Sequence, residues 1–276
     1  MKKPYFSASR LTLYSDCSLK YKFNYIDKLS EPAQSIHLAY GSAIHKALEG
    51  INLALIEGEL LYIEDVFQDF HDEWVKEIKA MNVEKDYLGG KLYYHGLNTL
   101  TRYYENHIDY EVIGAEQRFD VPIIYPDGTE DKDYNMSGII DAVIKRKDSL
   151  IILDYKTSKE PYNRFKLDTS VQLAMYSYAF RHLLNNGKIK GTRKKKEDAI
   201  AYYVLLKDYD TLDGAIKLQK KTITEQHMQR MFYILKQTKK GIAENMYIPN
   251  YSSMCHWCEF KKDCLAFTGV EDDSKT

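Results

Sequence analysis

The stretch IIDAVIKRKDSLIILDYKTSK, residues 139–159, constrains this chain more than any other. Two apolar, β-branched runs flank a polar KRKDS turn, the pattern of an antiparallel hairpin. A turn centred on Lys147 and Asp148 sets Asp141 directly opposite Asp154. Side chains alternate along a strand, so Lys156 shares the face of Asp154 while Leu153 and Tyr155 point the other way. Two carboxylates facing each other repel, and desolvating both is costly unless something cationic lies between them. A hard divalent cation such as magnesium or manganese supplies that charge, and Lys156 beside it can polarise a water or stabilise an oxyanion. A D-x-K in a hairpin is also found as a plain surface ion pair, so the reading depends on what else the chain carries.

The remainder reads as α/β. With 276 residues, 44% of them apolar, the chain can bury a sizeable core. Residues 7–29 offer serine N-caps and place Leu11, Tyr14, Cys17, Leu19, Tyr21 and Tyr25 at roughly helical spacing, across two short helices. Residues 40–58 form a clearer amphipathic helix with Ala43, Ala47, Ile51 and Leu55 on one stripe, and two more helices follow near 62–80 and 90–108. Strands are predicted over 110–125, 134–146, 149–157 and 199–207. A helix over 168–187, capped by Asp168 or Thr169 and stopped at Gly187, falls between the last two, and a final helix covers about 222–243. Helices, three strands, helix, strand, helix: the order predicts one α/β domain over 1–269 with a helical insertion at about 59–109 and a flexible tail at 270–276.

Charge leaves nucleic acid open as a partner. The net charge of −1 hides basic stretches, GTRKKKED at 191–198 and KLQKKTITEQ at 217–226, and an acidic end, VEDDSKT. Binding depends on where positive charge lies rather than on its total. RKKK at 193–196 reads as a solvated loop first and a phosphate contact second. The 24 tyrosines can stack unpaired bases where they adjoin lysines, but most are expected to pack internally and none is assigned to DNA. No signal peptide is legible and no apolar run approaches the roughly 20 residues of a membrane helix. A soluble, cytoplasmic protein is therefore expected, and its four cysteines point away from disulfides.

Further motifs join the hairpin. Gly41 and His45 stand in GSAIH, Gly138 precedes Asp141 in SGIID, and Gln172 and Tyr176 are four apart on one helical face in VQLAMY. In this order, with Asp154 and Lys156 between, they resemble the PD-(D/E)XK nuclease superfamily, specifically its RecB-type branch of AddB-like nucleases and CRISPR-associated exonucleases. The resemblance implies a restriction-endonuclease-like α/β core, a central mixed sheet flanked by helices. It implies that His45, Asp141, Asp154 and the backbone carbonyl of Tyr155 hold magnesium or manganese, and that Lys156 positions or activates the attacking water. Gln172 and Tyr176 would orient the scissile strand or the lysine. Glu116, in GAEQRF, stands where such nucleases often carry an acid on the first strand, and a role in holding the lysine or an arginine fits it equally.

The cysteines form a second constellation. Cys255, Cys258 and Cys264 cluster in CHWCEFKKDC, and Cys17 is the fourth, far away in sequence. Two cysteines separated by two residues can chelate one metal, and three near one end leave a coordination position for a remote thiolate. The RecB-type branch has a subgroup with this layout, which implies a structural [4Fe-4S] cluster stapling the N-terminal helix to the segment at about 247–267. Zinc in the same thiolates and buried free cysteines are the alternatives. The expected function is a metal-dependent deoxyribonuclease, an exonuclease on DNA ends or single strands in recombination, repair or phage DNA metabolism. No helicase motif is present, so unwinding would need a helicase or recombination partner. Trimming DNA for CRISPR spacer acquisition and a non-catalytic zinc-containing nucleic-acid-binding module are the alternatives.

Overall fold

A computed structural model describes residues 3–29, 35–81, 90–106, 110–146, 149–158, 162–189, 200–206 and 216–269. A six-stranded mixed sheet forms its centre: β1 (Tyr5–Phe6), β2 (Glu111–Ile124), β3 (Glu130–Arg146), β4 (Ser149–Thr157), β5 (Ile200–Leu206) and β6 (Ile216–Thr222). The long β3 organises it. One edge of β3 pairs antiparallel with β2. The other edge is divided: β1 pairs parallel at Asn135 and Met136, and β4 pairs antiparallel from Ala142 to Arg146. Residues 137–141 of that edge therefore face an opening between two partners. β5 continues the sheet parallel to β4, and β6 closes it antiparallel to β5.

Helices cover both faces because each strand buries side chains alternately on two sides. On one face, Ala43, Ala47 and Ile51 of α3 (Ile36–Glu57) pack with Phe70 and Trp74 of α4 (Ile63–Ala80) and Leu100 of α5 (Lys91–Asn106). Together they cover Ala142, Ile144, Ile151, Leu153 and Tyr155. On the other, Leu11 of α1 (Ala8–Asp16) joins a cluster containing Phe119, Val121, Ile123, Val143 and Ile152. α7 (Val171–Asn185) and α8 (Glu225–Ala243) complete that layer. Each fully buried Leu, Ile or Phe contributes about 1.5–3 kcal/mol. A third cluster ties the ends of the chain together: Leu19 and Tyr21 of α2 (Ser18–Tyr21) and Phe23 of the π-turn after it meet Tyr247 and Phe260. Phe260 leads into α9 (Lys261–Thr268).

The hairpin register is the expected one, with Ala142 opposite Leu153 and Arg146 opposite Ser149. Its turn residues, Lys147 and Asp148, lie outside the described residues, as do the basic stretch 191–198 and the tail 270–276. The regular ladder ends one step before Asp141 and Asp154. There the two-residue alternation of β3 slips: Met136 and Ile140 pack on the α7 side, whereas Ala142 and Ile144 pack on the α3 side. Across on β2, between the pairs Ala115–Ala142 and Gln117–Ile140, Glu116 adopts φ 45°, a left-handed conformation that costs a non-glycine residue on the order of 1 kcal/mol. The sheet is thus irregular where the acids stand.

Several boundaries differ from the sequence reading. Ser170, not Asp168 or Thr169, caps α7, its hydroxyl accepting from the Leu173 N–H, and Asp168 ends a short helix, α6 (Arg164–Asp168). β1 is only two residues long, too short for a period to show. β6, IKLQKKT, reads as a basic segment because edge strands carry lysine against unwanted pairing. Among the described residues no helix is long and apolar enough to cross a membrane.

Candidate metal centre

Where β3 loses its neighbour the sheet opens into a cleft of about 740 Å³. His45, Glu116, Asp141, Asp154, Lys156, Gln172 and Tyr176 all line it, together with Gly41 and Gly138. Five elements supply them: α3 brings His45, β2 Glu116, β3 Asp141, β4 Asp154 and Lys156, and α7 Gln172 and Tyr176. Gly138 is required by packing, since a Cβ there would stand 2.7 Å from the Phe119 ring. At Gly41 a Cβ would make an ordinary contact, 3.5 Å from Thr157 Oγ1.

Asp141 takes over where the ladder stops. Its Oδ2 accepts the Tyr155 N–H at 2.7 Å, satisfying a backbone donor that would otherwise be buried unpaired. Its Oδ1 lies 3.7 Å from His45 Nδ1. His45, Glu116 and Asp141 each offer a ligand atom, and these atoms all lie within 4.8 Å of one another. Asp154, only 1% exposed, is held from the other side. Lys156 Nζ donates to its Oδ1 at 2.9 Å and lies 2.7 Å from its Oδ2. Gln172 Nε2 contacts the same Oδ1 at 3.1 Å and the Tyr176 hydroxyl at 2.8 Å. Asp154 Oδ2 is buried and, beyond that ion-pair contact, has no hydrogen-bond partner of acceptable angle.

Charge is concentrated here. Burial pushes the carboxyls of Asp141 and Asp154 above the usual range, and the nearby Lys156 ammonium pulls both back. Glu116 is raised to about 7, by burial first and by Asp141 second. Burial lowers His45, and Lys156 lowers it further, which favours the neutral imidazole that ligates metal. Burial also works against the Lys156 charge, but Asp154 and Asp141 outweigh it and hold the ammonium above its ordinary value. Three acids with raised pKa values and an imidazole shifted toward its neutral form make a donor set that fits a hard or borderline divalent cation.

The predicted site residues therefore converge on one cleft, with a changed grouping. Glu116 joins His45 and Asp141 in the tightest set, while Asp154 faces the same space in the grip of Lys156 and Gln172. Tyr155 contributes backbone at the centre, bonding Asp141 through its N–H, and its backbone also hydrogen-bonds His45. Asn52 escaped the sequence reading. Fully buried, its Nδ2 donates to the Tyr155 hydroxyl at 3.0 Å, and Tyr103 lies 3.1 Å from that same hydroxyl. Asn52 sits two helical turns beyond His45 on α3, and a buried polar residue on an otherwise apolar stripe was the available signal.

The cysteines lie together at the far end. None of the four forms a disulfide, and Cys17, Cys258 and Cys264 pack on the aromatic cluster that joins the two ends of the domain. Burial raises the Cys264 thiol, and Cys17, Cys258 and Cys255 raise it further.

A mixed sheet between helical layers, opened at a fork that gathers acids, a histidine and a lysine, is the architecture of divalent-metal nucleases. The chain belongs to the PD-(D/E)XK nuclease superfamily, whose family model matches residues 5–265. Gene 69 protein of Mycobacterium phage L5 is 27% identical over 201 residues, a match spanning 59% of this chain and 68% of that protein. The crystal structure of a candidate exonuclease from Eubacterium rectale superposes with a TM-score of 0.57 at 14% identity, covering 98% of this chain and 90% of that one. At that identity the likeness is one of fold.

Proposed function

We propose that this protein is a metal-dependent deoxyribonuclease of the RecB-type, iron–sulfur-containing branch, degrading DNA as an exonuclease from ends or along single strands in recombination, repair or phage DNA metabolism. The observation that carries the reading is the fork itself, where the parting of β3 from β4 leaves Asp141, Asp154 and Lys156 facing one open cleft with His45 and Glu116. His45, Glu116, Asp141, Asp154 and the Tyr155 carbonyl would hold magnesium or manganese. Bound there, the ion supplies Lewis acidity toward a phosphate oxygen and lowers the pKa of water. The chain's own groups do the rest. Lys156, a compact cation anchored on Asp154, positions the attacking water and offsets charge that grows on the phosphate. Gln172 and Tyr176 fix the Asp154 carboxylate and through it the lysine.

The match of residues 5–265 to the PD-(D/E)XK nuclease superfamily supports phosphodiester cleavage as the activity. For the cysteines, the layout of one before the nuclease core and three after it supports the cluster over zinc. We read residues 1–269 as one nuclease domain, its α4–α5 region an insertion and its C-terminal segment the cluster-binding part. The test of exonuclease action is digestion of linear and covalently closed circular DNA of the same sequence with magnesium or manganese. Release of nucleotides from the linear form alone supports it, and equal cutting of the circle would assign an endonuclease instead.

A further inference from the structure

The connection from β4 to α7 joins Lys156 to Gln172, and on it α6 exposes an aromatic side chain that the cleft does not use. Phe165 is 75% solvent-exposed, so its ring face is open to a ligand. The turn that carries it is firmly anchored. Gln219 of β6 clamps the Tyr162 peptide from both sides, accepting its N–H at 3.0 Å and donating to its carbonyl at 2.8 Å. Asn163 caps the helix by accepting the Lys166 N–H at 2.8 Å, Leu167 is buried in the core, and Asp168 is bonded by Lys221 through its side chain and by Arg230 through its carbonyl. The ring is thus presented by a rigid element.

Cations surround it. Arg164 precedes Phe165 with its side chain 95% exposed, and Lys166 follows, its Nζ 3.7 Å above the Tyr162 ring. Lys221 and Arg230 reach Asp168 at the end of the same short helix. The turn follows β4 directly, and Tyr162, three residues before Phe165, feels the charges of Lys156 and Asp154 in the cleft. An exposed aromatic face on a pinned turn, flanked by cations and adjoining a phosphodiester-cleaving cleft, matches what an unpaired nucleotide requires, a surface for its base and positive charge for its phosphates.

We propose that Phe165 is a stacking platform for an unpaired base of single-stranded DNA, with Arg164 and Lys166 holding the adjoining phosphates, so that the strand is gripped beside the cleft. This deepens the nuclease reading and rests on it for the nature of the strand. Stacking on one aromatic side chain is worth about 1–3 kcal/mol per base, so losing it weakens binding roughly fivefold or more.

The experiment titrates the full chain, in EDTA to prevent cleavage, with single-stranded oligodeoxynucleotides containing 2-aminopurine, reading affinity and fluorescence quenching together. Phe165→Ala is expected to weaken binding at least about fivefold and to relieve the quenching, Phe165→Trp to retain both, and Arg164→Gln to weaken binding and flatten its salt dependence while leaving quenching in place. Because Phe165 is exposed, its replacement should leave the melting temperature unchanged. Wild-type affinity and quenching in Phe165→Ala, or no binding of single strands by the wild-type protein, overturns the proposal. Nucleotide release by the wild-type protein with magnesium, measured separately, keeps the two readings apart. An inert enzyme that still loses single-strand binding on Phe165→Ala sinks the nuclease reading alone. An active enzyme indifferent to Phe165→Ala sinks the platform alone.

Discussion

Replacing Asp141 by asparagine should stabilise the metal-free protein while abolishing its activity. The amide oxygen of asparagine can still accept the Tyr155 N–H, so the bond that closes the fork survives. What disappears is a buried negative charge beside Glu116 and Asp154. In the folded protein Asp141 titrates at about 6 instead of the usual 3.8, chiefly because burial disfavours its charged form. At 1.36 kcal/mol per unit the wild-type protein loses up to about 3 kcal/mol to this group above pH 6. Coupling to Asp154 and local relaxation reduce the realised gain to about 1–3 kcal/mol. The sign follows from linkage: between the two pKa values the folded state binds more protons than the unfolded state, so wild-type stability falls as pH rises. The penalty is full at pH 8, about half at pH 5 and absent below the unfolded value. Thermal unfolding in EDTA at pH 8 should show Asp141→Asn melting several degrees above wild type, at roughly 2–4 °C per kcal/mol, with a smaller gap at pH 5. Added manganese should close the gap by raising the wild-type midpoint more than that of the variant. A variant less stable than wild type at pH 8, or a gap independent of pH, would refute the reasoning.

Lys156→Ala and Lys156→Arg should both lose several orders of magnitude in cleavage rate, because a planar guanidinium cannot occupy the position of a compact ammonium 2.9 Å from Asp154 Oδ1. Near-normal turnover by the arginine variant would mean that the residue is only an ion-pair partner. Protein purified without oxygen should be brown, with iron and sulfide in equal amounts, and Cys17→Ser should bleach it and expose both chain ends to protease. A colourless protein carrying zinc and indifferent to Cys17→Ser would exclude the cluster.

The hairpin was legible because polar turn chemistry between two β-branched runs leaves little freedom in register, and the ladder from Ala142–Leu153 to Arg146–Ser149 is the one that turn dictates, with the two acids just past its end. The stripe of Ala43, Ala47 and Ile51 likewise marked the face that α3 buries. What escaped was non-local. No periodicity signals that β3 changes partner from β1 to β4 at residues 137–141, yet that change opens the cleft. Glu116 was named through the nuclease resemblance, but its left-handed backbone carries no glycine or asparagine to announce it, and its grouping with His45 and Asp141 ahead of Asp154 depends on the folded sheet. Asn52 stood out only as a polar residue on an apolar stripe, and its bond to the Tyr155 hydroxyl, 103 residues away in sequence, has no local signature. β6 escaped because its lysines suit an edge strand and a solvated loop equally well.

The most direct test of the metal centre is release of nucleotides from end-labelled single- and double-stranded DNA, compared for wild-type protein and Asp154→Ala with and without magnesium or manganese. The fork predicts cleavage by the wild type that requires the ion and disappears in Asp154→Ala, with folding and DNA affinity in EDTA largely retained. Equal cleavage by the two proteins, or cleavage undiminished by EDTA, would contradict it.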